Sequence, residues 1–276
     1  MLYDAAVIGA GPAGYSAAVN LRARGKSVVV IGNPPEDNPL WKAEKVDNYL
    51  GLPGLTGAEM LDVFREHAAS SGAELREGKV LNAARYGETW YLSVGTDMVE
   101  ASAVILAAGV ARGKKGIGEE EFLGRGVSYC ATCDGMLYRG RPVAVLGYSE
   151  TARREADFLQ EIGCQVTYVH RPRTYEIRGG AAVSSVICDG EELAVEGVFI
   201  LRPAVAPAEL FPGLETEKGY VAVDRQMNTN LPGLFAAGDS TGSPLQVAKA
   251  VGEGLIAGLS AAKWLDAHNK TLSGEG

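Results

Sequence analysis

Histidine is scarce in this sequence and cysteine nearly so, which leaves little material for a metal site. The three histidines, His67, His170 and His268, are scattered, and Cys164 and Cys188 each stand alone, so nothing completes a zinc-type ligand set around the one close pair, Cys130 and Cys133. Long apolar runs are absent as well. Nowhere do about 18 apolar residues follow one another, so no segment is expected to span a bilayer as a helix. Basic charge is outweighed: 26 Lys and Arg against 34 Asp and Glu give a net charge of −8. Neither nucleic acid nor an anionic membrane is therefore the expected partner, because both need a basic face. No solenoid-type repeat occurs, and the 36 glycines fall at turns instead of forming a low-complexity tract. Residues 1–18 are interrupted by Asp4 and three glycines and read as a strand and a turn, not a leader. Four cysteines, two of them unpaired in sequence, suit a reducing cytoplasm, which is the expected location.

What is present centres on Cys130-Ala131-Thr132-Cys133-Asp134-Gly135. Two thiols three positions apart on one turn can close into a disulfide, and such motifs lower the pKa of one thiol so that a thiolate is available near neutral pH. A lone C-x-x-C near a βαβ pattern reads as redox chemistry. Asp134 follows directly and is a candidate proton donor to a departing thiolate, the competing reading being a helix cap.

Residues 4–9 read as a buried strand that runs into Gly9-Ala10-Gly11-Pro12-Ala13-Gly14 and then a helix, Tyr15–Arg24, closed by Gly25. That context is what a dinucleotide-binding glycine motif requires. Gly9 permits the tight turn, Gly11 lets the backbone approach a pyrophosphate, Gly14 lets helix and strand pack closely, and the helix N-terminus offers N–H groups to phosphates. The next strand, Ser27–Ile31, ends in Gly32-Asn33 where an acid often meets the ribose, so the motif alone does not choose FAD over NAD. Residues 34–57 form an irregular loop, and Gly57–Ser71 an amphipathic helix with Met60, Leu61, Phe64 and Ala68 on one face. Residues 79–86, 89–95 and 98–102 read as a small antiparallel meander, followed by a separate apolar strand, Ala103–Ala108, ending at Gly109. The flexible basic connector from Arg112 to Gly118 marks a domain boundary.

A second dinucleotide-type half follows, with strand Pro142–Leu146, a turn through Gly147, Tyr148, Ser149 and Glu150, helix Thr151–Ile162 and strand Gln165–Val169. It is damaged. Ser149 stands where close phosphate approach wants glycine. The crossover to a third parallel strand, normally a dozen or more residues and usually helical, is replaced by strand-like runs Ala182–Cys188 and Leu193–Leu201 joined by the hairpin signal Asp189-Gly190. The chain ends with a short strand, Gly219–Asp224, a buried strand leading to Gly238-Asp239, and a long helix, Gln246–Trp264, whose Gly252, Gly254 and Gly258 read as tight packing.

In order and spacing, Gly9–Gly14, Cys130–Asp134 and Gly233-Leu-Phe-Ala-Ala-Gly-Asp239 resemble the low-molecular-weight thioredoxin reductases, and the resemblance covers nearly the whole chain. It implies an α/β fold of two Rossmann-like, three-layer ββα domains, the second inserted in the first and reduced in size. The FAD domain would comprise residues 1–112 and 222–276, and the disulfide domain residues 113–221. The FAD residues implied are Gly9, Gly11, Pro12, Ala13 and Gly14 at the pyrophosphate, Ala108 and Gly109 at the strand end, Gly238 and Asp239 at the ribitol, Gln246, Val247 and Ala248 at the pyrimidine end of the flavin, and Asn48 beside the isoalloxazine. Cys133 would lie against the flavin, Cys130 would attack a thioredoxin disulfide, and Asp134 would be the acid, in a homodimer.

Members that use NADPH resemble G-x-G-x-x-A followed by H-R-R-x-x-x-R, whose arginines pair with the 2′-phosphate. Here Ser149 replaces a glycine, and Pro172 and Glu176 replace two arginines after His170-Arg171. A carboxylate facing a phosphate is repulsive, and a bidentate arginine is among the stronger contacts to lose. These departures look like the pyridine-nucleotide-independent branch, whose flavin is reduced by ferredoxin. Ferredoxin is therefore the expected donor, and Arg112, Lys114, Lys115, Arg139, Arg141, Arg153 and Arg154 are candidates for a basic docking patch, the competing reading being scattered surface charges. The alternatives are an NADPH-dependent reductase with an atypical site, a dithiol oxidase of the same fold and a flavin module without turnover.

Overall fold

The computed structural model describes residues 1–110, 115–149, 151–202 and 206–273, the last five by backbone alone. The chain forms two units, Met1–Ala111 with Ala204–Gly276, and Arg112–Pro203. The first expected boundary, at 112, lies outside the described residues. The return to the first unit comes at 204 and not at 222, because Leu210, Phe211 and Leu214 belong to the first unit's core, where Phe211 meets Trp90 edge-on at 5.5 Å.

The first unit opens with β1 (Leu2–Ile8), α1 (Pro12–Arg22) and β2 (Val28–Gly32). α1 starts three residues before the expected Tyr15, since Pro12 suits the first helical position, where a missing N–H costs nothing. The loop expected over 34–57 contains two 3-10 turns, Pro35–Asp37 and Pro39–Lys42. α2 (Gly57–Ser70) begins at a capping box between Thr56 and Glu59. Then come β3 (Glu74–Glu77), β4 (Val80–Tyr86), β5 (Thr89–Val94) and β6 (Asp97–Leu106). The expected third meander strand and the apolar strand are one element, β6. It pairs in parallel with β1 on one edge, and antiparallel with β5 through residues 97–101 on the other. Its first half alternates and its second half is buried throughout, which is why the sequence reads as two strands.

In the second unit lie β7 (Val127–Ser128), α3 (Ala131–Asp134), β8 (Pro142–Gly147), α4 (Ala152–Glu161) and β9 (Gln165–His170). They are followed by β10 (Tyr175–Gly179), β11 (Val183–Cys188), β12 (Glu191–Ala194) and β13 (Gly197–Leu201). Strands β7-β13-β8-β9 make a parallel sheet and β10-β11-β12 an antiparallel one. The run expected over 193–201 thus divides between the two sheets. Between β9 and β13 the described chain holds no helix. The antiparallel sheet takes the crossover helix's place, packing Ile177, Val183 and Val186 on Ala144, Leu146, Val198 and Ile200. α4 covers the other face, with Ala156 and Leu159 on Val143, Val145 and Phe199. The hairpin between β11 and β12 turns at Asp189 (φ +50°) and Gly190 (φ +93°), the left-handed pair that a two-residue connection demands.

Back in the first unit, α5 (Pro207–Leu210), β14 (Thr216–Glu217), β15 (Tyr220–Val221), β16 (Leu234–Ala236) and α6 (Val247–Ser273) complete the chain. The strand expected over 219–224 is the shorter β15, and the helix expected to end at Trp264 continues to Ser273 because Leu265 is still a core residue. The sheet runs β3-β2-β1-β6-β5-β4, with β16 beside the end of β6. α1 and α6 pack on Ala5, Val7, Val28 and Ile105, while Trp90 and Leu92 of the meander cover Ala6, Ile8, Val29 and Val104. Among the described residues no helix is long and apolar enough to cross a membrane.

Candidate redox and cofactor sites

Cys130 and Cys133 are joined by a disulfide, with Cα atoms 5.4 Å apart. β7 fixes its approach by pairing with Val198 and Phe199 of β13. Cys130 then takes the cap position of the one-turn α3 in extended conformation, and its Sγ accepts the Cys133 N–H at 3.1 Å. Thr132 Oγ1 lies 3.4 Å from the same sulfur. A thiolate formed on Cys130 is therefore hydrogen-bonded. Asp134 is the last residue of α3 and stands at the cap position of the 3-10 turn Gly135–Tyr138, but its side chain makes no capping bond there; its Oδ2 accepts from Ser128 Oγ at 2.6 Å. Ser128, only 4% exposed, also accepts the Cys130 N–H at 3.1 Å, so one hydroxyl touches both the candidate nucleophile and the candidate acid. Its signal is a buried polar residue at a strand end, which becomes visible only once β7 is known to pair with β13. Cys164 and Cys188 remain free and buried. Burial, with Asp189 and Glu191 nearby, pushes the Cys188 thiol up to about 11, and burial raises Cys164, so neither is a ready thiolate.

At the carboxyl ends of β8, β9 and β13, where a dinucleotide fold receives its ligand, the second unit is filled by its own side chains. The turn amides of Tyr148 and Ser149 both donate to Leu201 O, at 2.9 and 3.1 Å. Amides that would face a phosphate are thereby consumed. Tyr148 Oη donates to Pro172 O at 3.1 Å, and Arg202 sits 5.6 Å over the Tyr148 ring. Glu119, with no exposed surface, binds Arg202 through both oxygens at 2.5 and 2.9 Å, and accepts from Tyr129 Oη at 2.9 Å and closely from Tyr175 Oη. Burial opposes a charge on Glu119, but the donors from Arg202, Tyr175 and Tyr129 outweigh it and hold the carboxyl below its ordinary range. Burial raises all three tyrosines, Tyr148 to about 12. Ser149 is buried, with its Oγ 3.1 Å from Thr151 Oγ1, and Glu176 is paired with Arg178 at 2.8 Å. Glu150 lies outside the described residues. Glu119 stands in an acidic run that reads as solvated surface, and neither it nor Arg202 is discernible as a site residue before folding.

In the first unit, Gly9 has φ +120°, and a Cβ there would come 2.2 Å from Ala107 O; at Gly14 it would come 1.9 Å from Gly9 O. These two glycines make the turn and the close packing. At Gly11 an added Cβ would meet no backbone atom and one side-chain atom, Asn38 Nδ2 at 3.0 Å. That is a cradle which a side chain would fill and a pyrophosphate fits. Pro12 and Ala13 begin α1, and a Cβ on Gly9 would also meet Ala108 N at 2.9 Å, so the end of β6 lies beside the glycine turn. Gly109 is left-handed at φ +72°. Gly238, at φ +78°, packs on Ala13 and opens the 3-10 turn Gly238–Thr241 that carries Asp239. Asn48 Nδ2 donates to Gln246 Oε1 at 3.0 Å, which joins two expected flavin residues distant in sequence, and Val247 and Ala248 open α6 just after. Gly254 and Gly258 approach Ala13 O and Ala17 O, as packing glycines do, whereas Gly252 meets nothing within 4 Å. The residues present fit FAD.

The candidate basic patch is weaker than its residue count. Arg112 and Lys114 lie outside the described residues, and Lys115, Arg141 and Arg153 pair with Glu120, Glu196 and Asp157 at 2.5, 3.3 and 3.3 Å.

The model of the family "Pyridine nucleotide-disulphide oxidoreductase" matches residues 3–185 and 173–254. A thioredoxin reductase from Listeria innocua is 33% identical, with 99% of this chain and 97% of that protein covered, and one from Bacillus subtilis is 32% identical, with 98% and 97% covered. Among solved structures, a ferredoxin-flavin thioredoxin reductase from Clostridium acetobutylicum matches with a TM-score of 0.93 at 38% identity, over 98% of this chain and 99% of that one. A thioredoxin reductase from Gloeobacter violaceus matches with a TM-score of 0.85 at 30% identity, over 96% and 95%. Matched end to end by relatives at a third identity, the chain belongs to the thioredoxin reductase family of pyridine nucleotide-disulphide oxidoreductases, FAD-binding flavoproteins of two Rossmann-like units.

Proposed function

We propose that this protein reduces thioredoxin and draws its electrons from reduced ferredoxin, not from NADPH. The observation that carries the donor assignment is the contrast between the two dinucleotide-type turns: at Gly11 only the Asn38 side chain lies near, whereas the amides of Tyr148 and Ser149 are bonded to Leu201 O. The likeness to a ferredoxin-flavin thioredoxin reductase supports it. The first unit would hold FAD through Gly9, Gly11, Pro12, Ala13 and Gly14, with Ala108, Gly109, Asn48, Gly238, Asp239, Gln246, Val247 and Ala248 around it. When bound, FAD stores two electrons and can accept them singly, which suits a one-electron donor and a two-electron disulfide.

Two electrons and two protons open the Cys130–Cys133 bond to a dithiol. Cys130, as thiolate, attacks one sulfur of the thioredoxin disulfide; that bond breaks, and the departing thiolate takes a proton for which Asp134 is the donor. Cys133 then attacks the Cys130 sulfur, the mixed disulfide breaks, and the second thioredoxin sulfur leaves and is protonated. Thioredoxin gains two electrons and two protons, and the Cys130–Cys133 disulfide is restored. The protein works in this reading as a cytoplasmic homodimer.

Anaerobic spectra of the flavoprotein, recorded with NADPH, NADH and reduced ferredoxin in turn and followed by thioredoxin-dependent insulin reduction, test the proposal. Ferredoxin is expected to bleach the flavin and drive turnover. Rapid bleaching by NADPH at micromolar levels would overturn the donor, and electron flow from a dithiol to oxygen would make the protein an oxidase.

A further inference from the structure

α6 begins with a charge order that its own stability does not explain. Lys249 stands in the first turn and Glu253 one turn later, with Nζ and Oε2 3.0 Å apart. A cation in the first turn opposes the helix dipole, and Lys before Glu is the weaker order for an i,i+4 pair. The side chains are only 15% and 19% exposed, so the pair also carries a desolvation cost.

The compensation lies in the preceding turn. Lys249 Nζ donates to Gly238 O at 2.6 Å, Gly242 O at 2.8 Å and Thr241 Oγ1 at 2.9 Å. Glu253 Oε2 accepts from Gly238 N at 2.9 Å and from Thr241 Oγ1 at 2.7 Å. The pair thus grips Gly238 at both its N–H and its carbonyl and closes the far end of the turn at Gly242. Gly238 is held so near α1 that an added Cβ would lie 2.7 Å from Ala13 Cβ, and at Gly254 an added Cβ would lie 2.2 Å from Ala13 O. Ala13 lies in the Gly9–Gly14 motif, in the first turn of α1.

From this we infer that Lys249 and Glu253 are positioning residues for FAD: the ion pair sets the spacing between the turn bearing Asp239 and the turn at Gly9–Gly14. The inference rests on reading those two turns as the FAD site. Without the lysine, the carbonyls of Gly238 and Gly242 lose their shared donor, Glu253 is left partly buried and unpaired, and the Asp239 turn relaxes away from Ala13. Cofactor retention then falls before the fold does.

The test uses full-length apoprotein titrated with FAD by fluorescence quenching, with melting of the apo and holo forms followed by circular dichroism. Lys249→Met is expected to raise the FAD Kd about tenfold or more, as the loss of a charged hydrogen-bond donor implies, and to lower holo melting by more than apo melting, so that the difference between the two forms shrinks. Glu253→Gln is expected to act in the same direction but less, because its amide oxygen still accepts the Gly238 N–H. Thr241→Val removes one bridging hydroxyl without burying a charge and is expected to weaken FAD about threefold, which keeps the question open to test if Lys249→Met fails to fold. A Kd within twofold of wild type in the variants that fold, or apo and holo melting lowered equally, would make the pair a fold element only and overturn the inference. Wild-type apoprotein that takes up no FAD would overturn the site reading first, and the wild-type titration alone reveals that outcome.

Discussion

Cys130 and Cys133 share one bond but have different surroundings. The Cys133 N–H and Thr132 hydroxyl face the Cys130 sulfur, and Ser128 ties the Cys130 amide to Asp134. The two single serine variants should therefore not be equivalent. Cys133→Ser leaves Cys130 able to attack but with nothing to resolve the product, so it should accumulate a mixed disulfide with thioredoxin, visible on a non-reducing gel and reversed by dithiothreitol. Cys130→Ser should accumulate little. Trapping mainly through Cys133 would exchange the two roles. Of this arrangement the C-x-x-C-D string was legible in the sequence, because its spacing is local. Ser128 was not, because its importance depends on a pairing with β13 some seventy residues further along the chain, on the order of several loop closures away.

Among the elements, the segment between β9 and β13 carries the largest change of design. Its hairpin was readable from Asp189-Gly190, a turn chemistry that few other contexts require. The sheet it builds and the plug it supports were not, since Glu119 and Arg202 are 83 residues apart and neither is unusual locally. The same limit applies to β6, where one strand passes between two environments and so carries two patterns. The buried pair gives a stability expectation. Glu119→Gln leaves Arg202 charged with its partner removed and should cost about 3–5 kcal/mol, the range for breaking a buried pair. The pH dependence has a definite sign. The Glu119 carboxyl titrates lower in the folded chain than in the unfolded one, so its contribution is full above its unfolded value, near 4.3 as for glutamate generally, and is lost as pH falls through the lower folded value. Melting of wild type and Glu119→Gln followed from about pH 6 to pH 3 should show the difference between them shrinking as the pH falls. A difference that stays constant would mean that the carboxylate charge is not what holds the plug.

For the whole molecule, the two glycine-turn regions have gone different ways from a common plan. In one, only the Asn38 side chain lies near Gly11; in the other, Tyr148, Ser149, Arg202 and Glu119 occupy the equivalent ground. Restoring the glycine by Ser149→Gly should therefore not confer flavin reduction by NADPH. The Tyr148 amide would still be bound to Leu201 O, and Arg202 would still be neutralised by Glu119. Substantial NADPH-driven bleaching in that single variant would show that the serine alone kept the nucleotide out.

The plug also bears on how such a protein can change over generations. A site lost through one substitution can return through one substitution. On the proposed reading, in which the nucleotide site has been lost, the first steps back are individually harmful: removing Glu119 strands a buried guanidinium, removing Arg202 strands a buried carboxylate, and neither frees the turn amides. Each intermediate pays in stability before any nucleotide could repay it. The filled crevice therefore acts as a ratchet, and lineages carrying it are expected to diversify in what docks on their surface while the interior of the second unit stays closed.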